Sequence, residues 1–228
     1  MSSLSENDMK VMNYHEGQPQ ETTNGKNYTY DWTSIHSDNF KQCFEQINEK
    51  KRALEVGCYE GRTTAMLADV FNEVVGVEPA PRELLLETVA ENKNVTLCKG
   101  LLYDVLNEVG SDFDFVYIDG SHIGQDVMLD VQLAWNKLKV GGVLLIDDYE
   151  WYNDPYIVSM FNDGFIDSLE LDHKEYRARF SPKRAVDAWL SVSVESDVFI
   201  ENYQLAVKKV RNINEHIKNR RVFFSPDD

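Results

Sequence analysis

The stretch Ala53-Leu54-Glu55-Val56-Gly57-Cys58-Tyr59-Glu60-Gly61-Arg62-Thr63-Thr64 decides the fold of this chain. Ala53–Val56 is a short apolar run that reads as a strand, and a helical pattern begins near Arg62. Gly57 and Gly61 flank the turn between them. At such a junction the backbone can come close to a bound ligand, because glycine has no Cβ and tolerates φ > 0. The turn departs from the dinucleotide fingerprint G-x-G-x-x-G, since the acidic Glu55 stands in the region of its first glycine. A carboxylate there repels a pyrophosphate but accepts a cationic ligand, such as a sulfonium carrying an amino group.

Outward from this turn, strands and helices alternate. On the N-terminal side a helix is expected from near Ser34, with Phe40, Phe44 and Ile47 at helical spacing. On the C-terminal side Thr63–Phe71 reads as a helix, Glu73–Glu78 as a strand, and Pro81 opens a helix through Ala90. Val95–Cys98 is a strand, Leu101–Val109 a helix, Phe113–Ile118 a strand ending in Asp119, and Val127–Leu138 a helix. Gly141-Gly142 then leads into Val143–Ile146, a strand ending in Asp147-Asp148. This alternation implies an α/β fold with a doubly wound parallel sheet covered on both faces. Residues 149–182 are aromatic-rich and irregular, Lys183–Val192 is helical, and Asp197–Glu201 and Gln204–Val210 are strands close enough to pair only in antiparallel fashion. Residues 1–27 read as a mobile or loosely docked segment, 28–210 as the domain, and 211–228 as a tail.

The 228 residues suit one domain, and the formal net charge of -16 argues against binding a nucleic-acid backbone. The locally basic tail, with Arg211, Lys218, Arg220 and Arg221, reads as a solvated terminal helix. Cys43, Cys58 and Cys98 form neither a disulfide framework nor a zinc pattern, which fits a reducing, cytoplasmic setting. No secretory signal is expected, and no apolar run approaches the ~18 residues of a membrane span.

In open parallel sheets ligands bind beyond the carboxyl ends of the strands. The residues there are Glu55 and Gly57, Glu78, Gly100 and Leu101, Asp119, and Asp147 with Asp148. Glu78 follows Glu55 by 23 residues, the place where an acid hydrogen-bonds the ribose hydroxyls of an adenosine cofactor. The alternative is a solvated acid before Pro79.

On these residues the chain resembles the class I S-adenosylmethionine-dependent methyltransferases. The likeness rests on the E-V-G-C-Y-E-G turn, Glu78, Tyr117-Ile118-Asp119-Gly120-Ser121-His122, and Leu138-Lys139-Val140-Gly141-Gly142 before Asp147-Asp148-Tyr149, and it covers roughly residues 30–210. The subgroup it resembles is that of small enzymes with Y-I-D-G-S-H and D-D-Y motifs, which includes macrocin-type sugar O-methyltransferases. Catechol O-methyltransferase is a more distant relative. The resemblance implies a Rossmann-like, seven-stranded, mostly parallel sheet whose last strand is antiparallel. It implies S-adenosylmethionine as cofactor, held by Glu55, Gly57, Tyr59, Gly61, Glu78, Gly100, Leu101 and Asp119.

It further implies a divalent cation on Asp119, Asp147 and Asp148, with Mg²⁺ expected and Mn²⁺ or Ca²⁺ as alternatives. Converging carboxylates repel unless something positive sits among them, and three of them suit a hard, oxygen-preferring ion. Asp119 could instead bind only the cofactor's amino group, and Asp147 or Asp148 could cap the next segment. His122 stands where related enzymes often place a lysine base; it reads as a general base, a fourth ligand, or a residue packed on the cofactor. Asp119 and His122 are thus the catalytic candidates. Tyr149, Trp151, Tyr152 and Tyr156 read as acceptor contacts or as the core of a lid. His15, His36, His173 and His216 belong to no recognisable constellation. The expected reaction is metal-assisted O-methylation of a hydroxyl on a small molecule or glycan, and an ordered N-terminal arm could support a homodimer. The alternatives are a metal-independent N- or O-methyltransferase and a non-catalytic cofactor-binding interaction domain.

Overall fold

Alternation of side chains along the strands builds the two faces of the sheet. In a strand successive Cβ atoms point to opposite sides. Leu54, Val56, Val116, Ile118, Leu144 and Ile146 therefore join one buried cluster. Ala53, Phe115, Tyr117, Val143 and Leu145 join another on the opposite face. The computed structural model describes residues 22–23, 26–29, 31–151, 178–193 and 195–211.

The described elements are β1 (Thr22–Thr23), β2 (Lys26–Asn27), α1 (Trp32–Ile35), α2 (Ser37–Glu45), β3 (Arg52–Val56), α3 (Arg62–Val70), β4 (Glu73–Val77) and α4 (Glu83–Glu91). They continue with β5 (Val95–Cys98), α5 (Leu102–Val105), β6 (Phe113–Ile118), α6 (Gly124–Lys137), β7 (Leu138–Ile146), α7 (Pro182–Leu190), β8 (Ser196–Glu201) and β9 (Leu205–Lys209). Strands β1 and β2 form a separate antiparallel pair. The other seven form one sheet in the order β5-β4-β3-β6-β7-β9-β8. Strands β3 to β7 pair in parallel, and β9 is antiparallel to both β7 and β8. This is the expected mostly parallel sheet with a reversed last strand. The chain begins in the middle at β3, proceeds outward to β5, then returns to β6 on the other side. The strand order therefore reverses between β3 and β6, where a crevice opens.

One face is closed by α6 and α7, whose Trp135 and Trp189 meet edge to face at 5.0 Å. The other is closed by α2 and α3, where Phe40, Phe44 and Phe71 all contact Phe115. These rings bury large apolar areas in preferred tilted and stacked arrangements, which fixes how α2 sits over the strands.

Two local expectations change. The helix read over Leu101–Val109 is only the four residues of α5; beyond it the backbone tightens, with Glu108 N–H donating to Val105 O at 2.8 Å. Leu102, Val105 and Val109 are buried all the same, so the apolar spacing records burial rather than helix length. Strand β7 starts at Leu138, not at Val143, because residues 139–142 bulge out between the pairs Phe113–Leu138 and Phe115–Val143. Gly141 takes φ +84 there, a left-handed value that favours glycine. Lys26 Nζ lies 2.8 Å from Glu91 and donates to Thr88 Oγ1 at 3.2 Å, while residues 1–21 lie outside the described residues. Among the described residues no helix is long and apolar enough to cross a membrane.

Candidate cofactor and metal site

The glycine turn is built by crowding. Gly57 has φ +87, and a Cβ there would meet the backbone of Asp119 and Gly120 within 2.6 Å. Strand ends β3 and β6 thus touch at a residue that must be glycine, and Asp119 N–H donates to Val56 O at 2.8 Å. Tyr59 also takes a left-handed φ of 48. Gly61, with φ +82, precedes the first turn of α3, and a Cβ there would press on Leu85 of α4. It lets α3 and α4 pack closely, and it lines none of the three cavities described next.

Glu78 faces the turn from the end of β4. Its Oε2 accepts the N–H groups of Cys58 at 3.1 Å and Tyr59 at 3.0 Å, and its Oε1 accepts Ala80 N–H at 2.9 Å. The carboxylate is therefore engaged with the turn and is not merely solvated. A cavity of about 210 Å³ lies beside it, bordered by Gly57, Glu78, Gly100, Leu101, Tyr103 and Asp130. Burial, with Asp126 nearby, pushes the Asp130 carboxyl up to about 6. A second cavity of about 30 Å³ lies on the other side of Gly57, bordered by Trp32, Thr33, Glu55, Tyr59, Thr63 and Asp119. A larger groove of about 430 Å³, lined by Phe40, Phe44 and Met66 among others, opens over α2 and α3, away from the strand ends.

Glu55 is buried at 1% exposure, on the face opposite Leu54 and Val56. Thr64 Oγ1 donates to its Oε2 at 2.5 Å. Burial pushes the carboxyl up to about 8, only partly opposed by hydrogen bonds from Thr64 and Cys58. Glu55 is therefore neutral at pH 7 unless a cation enters beside it.

Asp119, Asp147 and Asp148 place one carboxylate oxygen each within 4.8 Å of one another. They converge because β6 and β7 are adjacent and parallel, with Ile118 opposite Ile146. Tyr117 Oη lies 2.5 Å from Asp147 Oδ2 and 3.2 Å from Asp119 Oδ2. Burial, then the neighbouring carboxylates, raises the Asp119 carboxyl well above its ordinary value and also raises that of Asp147. Burial acts the same way on Asp148, but the His122 ring outweighs it and holds Asp148 low. His122 Nε2 sits 2.5 Å from Asp148 Oδ2. Burial alone would depress the imidazole; the Asp148 charge overrides it and raises the ring above its ordinary value. Trp151 stacks flat on His122, with ring centroids 4.1 Å apart and planes 9° off parallel.

Four further residues reach this cluster without any signal in the local sequence. Tyr203 Oη donates to Asp148 Oδ1 at 2.6 Å, and Gln204 Nε2 donates to Asp147 Oδ1 at 2.9 Å. Asn39 Nδ2 donates to Gln204 Oε1 at 2.9 Å. His36 stacks on Tyr203, with ring centroids 5.4 Å apart. The expectation that His36 belongs to no constellation is thus corrected. Tyr149 is corrected in the other direction. It is buried at 1% exposure, and its hydroxyl donates to Asp187 at 2.6 Å beside Lys183, so it braces α7 rather than lining the crevice. Tyr152 and Tyr156 lie outside the described residues.

Residues 54–149 match the family described as "Methyltransferase domain". An uncharacterised protein of Acanthamoeba polyphaga mimivirus is 26% identical over 125 residues, which are 48% of this chain and 57% of that protein. The match therefore spans little more than half of that relative's length. Among solved structures, a putative O-methyltransferase from Klebsiella pneumoniae superposes with a TM-score of 0.55 at 13% identity, covering 87% of this chain and 86% of that one. An O-methyltransferase from Bacillus cereus in complex with SAH superposes with a TM-score of 0.54 at 16% identity, covering 88% of each chain. The SAH-bound Podospora anserina methyltransferase PaMTH1 superposes with a TM-score of 0.53 at 15% identity, covering 92% of this chain and 99% of that one. The chain has a Rossmann-like fold shared with solved methyltransferase structures, and its central residues 54–149 match a family described as a methyltransferase domain.

Proposed function

We propose that this protein is an S-adenosylmethionine-dependent O-methyltransferase that uses a divalent cation and acts on a hydroxyl of a small molecule or glycan. The observation that carries the reading is the shared position of Gly57. It borders the cavity of Glu78, Gly100 and Leu101 on one side and that of Glu55, Tyr59 and Asp119 on the other. In this reading the adenosine takes the first, with Glu78 accepting ribose hydroxyls, and the cofactor's cationic end points toward the second. The Bacillus cereus and Podospora anserina structures hold SAH, the demethylated cofactor, on the same fold.

Asp119, Asp147 and Asp148 suit a hard cation in both donor type and number. Burial and mutual repulsion raise two of the three carboxyls, and a positive ion at their centre relieves that repulsion. When bound, such an ion lowers the pKa of an acceptor hydroxyl and orients it. S-adenosylmethionine supplies an electrophilic methyl group to that oxygen. The protein's own work is orientation and proton handling. In this reading His122 receives the hydroxyl proton, and Asp148, hydrogen-bonded to its Nε2, stabilises the imidazolium that results. Trp151 holds the ring flat and covers one face of it. A nitrogen acceptor would require neither the acid cluster nor this base, which favours oxygen.

The second reading is a metal-independent methyltransferase, favoured by one observation. Tyr117, Gln204, Tyr203 and His122 already engage all four oxygens of Asp147 and Asp148. The deciding experiment is calorimetry with S-adenosylhomocysteine, followed by methyl transfer to a panel of phenols, sugars and amines with and without EDTA. Tight binding and EDTA-sensitive transfer to oxygen are expected. No binding would end both readings, and full turnover in EDTA would select the second.

A further inference from the structure

Asp147 and Asp148 are held by a part of the chain 57 and 55 residues further on. We propose that Gln204 and Tyr203, in the turn between β8 and β9, are positioning residues for the cation site, each gripping one carboxylate oxygen so that the remaining lone pairs of Asp147 and Asp148 face the ion. The inference rests on the metal-assisted reading above.

The grip is directional. Gln204 is fully buried. Its Nε2 donates to Asp147 Oδ1 while its Oε1 accepts from Asn39 Nδ2, both at 2.9 Å. An amide turned end for end would face Asp147 with its oxygen and Asn39 with its NH₂, acceptor to acceptor and donor to donor. Asn39 is fixed in turn by Asn202, with Nδ2 to Oδ1 at 3.0 Å and a return bond at 3.2 Å. Tyr203 Oη holds Asp148 Oδ1 at 2.6 Å, and its ring is backed by His36 with planes 4° off parallel.

The carboxylates need such holding. Asp148 takes φ 54, a left-handed conformation that an aspartate adopts at some cost, and three like charges converge here. Partners that orient ligating carboxylates usually change metal affinity 10- to 100-fold when removed. A role confined to satisfying a buried turn predicts something different: lost stability with no change in affinity for a cation.

The test uses the full chain with S-adenosylhomocysteine bound and Mn²⁺ as probe, read by the free-ion EPR signal, with S-adenosylhomocysteine affinity measured separately by calorimetry. Gln204→Leu and Tyr203→Phe are each expected to weaken Mn²⁺ binding by about 10- to 100-fold. Affinity for S-adenosylhomocysteine should stay within about twofold, since neither residue borders its cavities. Asn39→Ala should weaken Mn²⁺ less, and adding it to Gln204→Leu should cause no further loss, because it acts through Gln204. If Gln204→Leu fails to fold, Tyr203→Phe, which keeps its ring, decides the matter. Mn²⁺ affinity within twofold of wild type in the folded variants overturns the inference. Wild-type protein that binds S-adenosylhomocysteine but not Mn²⁺ overturns the metal reading and this inference with it. Wild-type protein that binds neither removes the methyltransferase reading itself.

Discussion

The Cβ that any residue other than glycine would carry at position 57 falls 2.1 Å from the carbonyl oxygen of Asp119. The contact is backbone to backbone across β3 and β6, so no flexible side chain can give way. Gly57→Ala is therefore expected to push the two strand ends apart and also to strain a φ of +87. A loss of about 2 kcal/mol or more in stability should accompany loss of S-adenosylhomocysteine binding. Thermal denaturation and calorimetry check both, and an unchanged affinity would refute the close-approach argument.

Glu78 gathers three backbone N–H groups, those of Cys58 and Tyr59 in the turn and that of Ala80 two residues on. Glu78→Ala should cost about 1–3 kcal/mol in stability and weaken S-adenosylhomocysteine binding at least tenfold. Calorimetry on the variant would contradict the ribose assignment if affinity stayed at the wild-type level.

If the proposed divalent cation is required, its removal should abolish most turnover. EDTA treatment and Asp148→Asn are each expected to lower kcat about 100-fold or more, with Mn²⁺ or Mg²⁺ restoring only the EDTA-treated wild type. Steady-state kinetics with a hydroxyl acceptor that the wild type methylates measure this, and recovery of Asp148→Asn by metal would argue against its role as a ligand.

Glu55 gives the fold a pH dependence of known sign. In the unfolded chain its carboxyl ionises near pH 4.3, whereas burial keeps it protonated to about 8 in the native state. The native state thus binds more protons than the unfolded one across that interval. The contribution is fully present below the unfolded pKa, declines as pH rises, and is lost by about pH 8. Without cofactor, Glu55→Gln should melt near the wild-type temperature at pH 4.5 and above it at pH 8, by an amount on the order of a few kcal/mol. Equal melting temperatures at pH 8 would contradict a neutral Glu55.

If His122 is the base, the stacked Trp151 serves the reaction by holding its ring. A stacked pair of this kind is worth about 1 kcal/mol, so Trp151→Ala should lower kcat about fivefold while leaving S-adenosylhomocysteine affinity unchanged. A fall in cofactor affinity instead would place Trp151 against the cofactor rather than behind the imidazole.

The alternation of apolar runs and glycine-bearing turns was enough to order the five parallel strands and put Glu55, Glu78, Asp119, Asp147 and Asp148 at their ends. Those features are local: the side-chain period sets the element type, and each acid follows its own strand directly. The same locality explains the errors. The spacing of Leu102, Val105 and Val109 records which residues are buried, not whether the backbone stays helical between them. Tyr149 stands next to Asp148 in sequence, yet it braces Asp187 on α7 while Asp148 meets His122.

The sequence by itself determined the parallel sheet, the glycine turn and the row of acids, because each depends on neighbours within a few residues. Tertiary structure alone decided what surrounds those acids. Asn39 meets Gln204 across 165 residues and Tyr203 meets Asp148 across 55. Those contacts exist only because β9 pairs with β7 and α2 packs over Phe115, and no spacing along the chain encodes them. The charge state of Glu55 has the same origin, since it follows from how completely the fold removes water from the carboxyl.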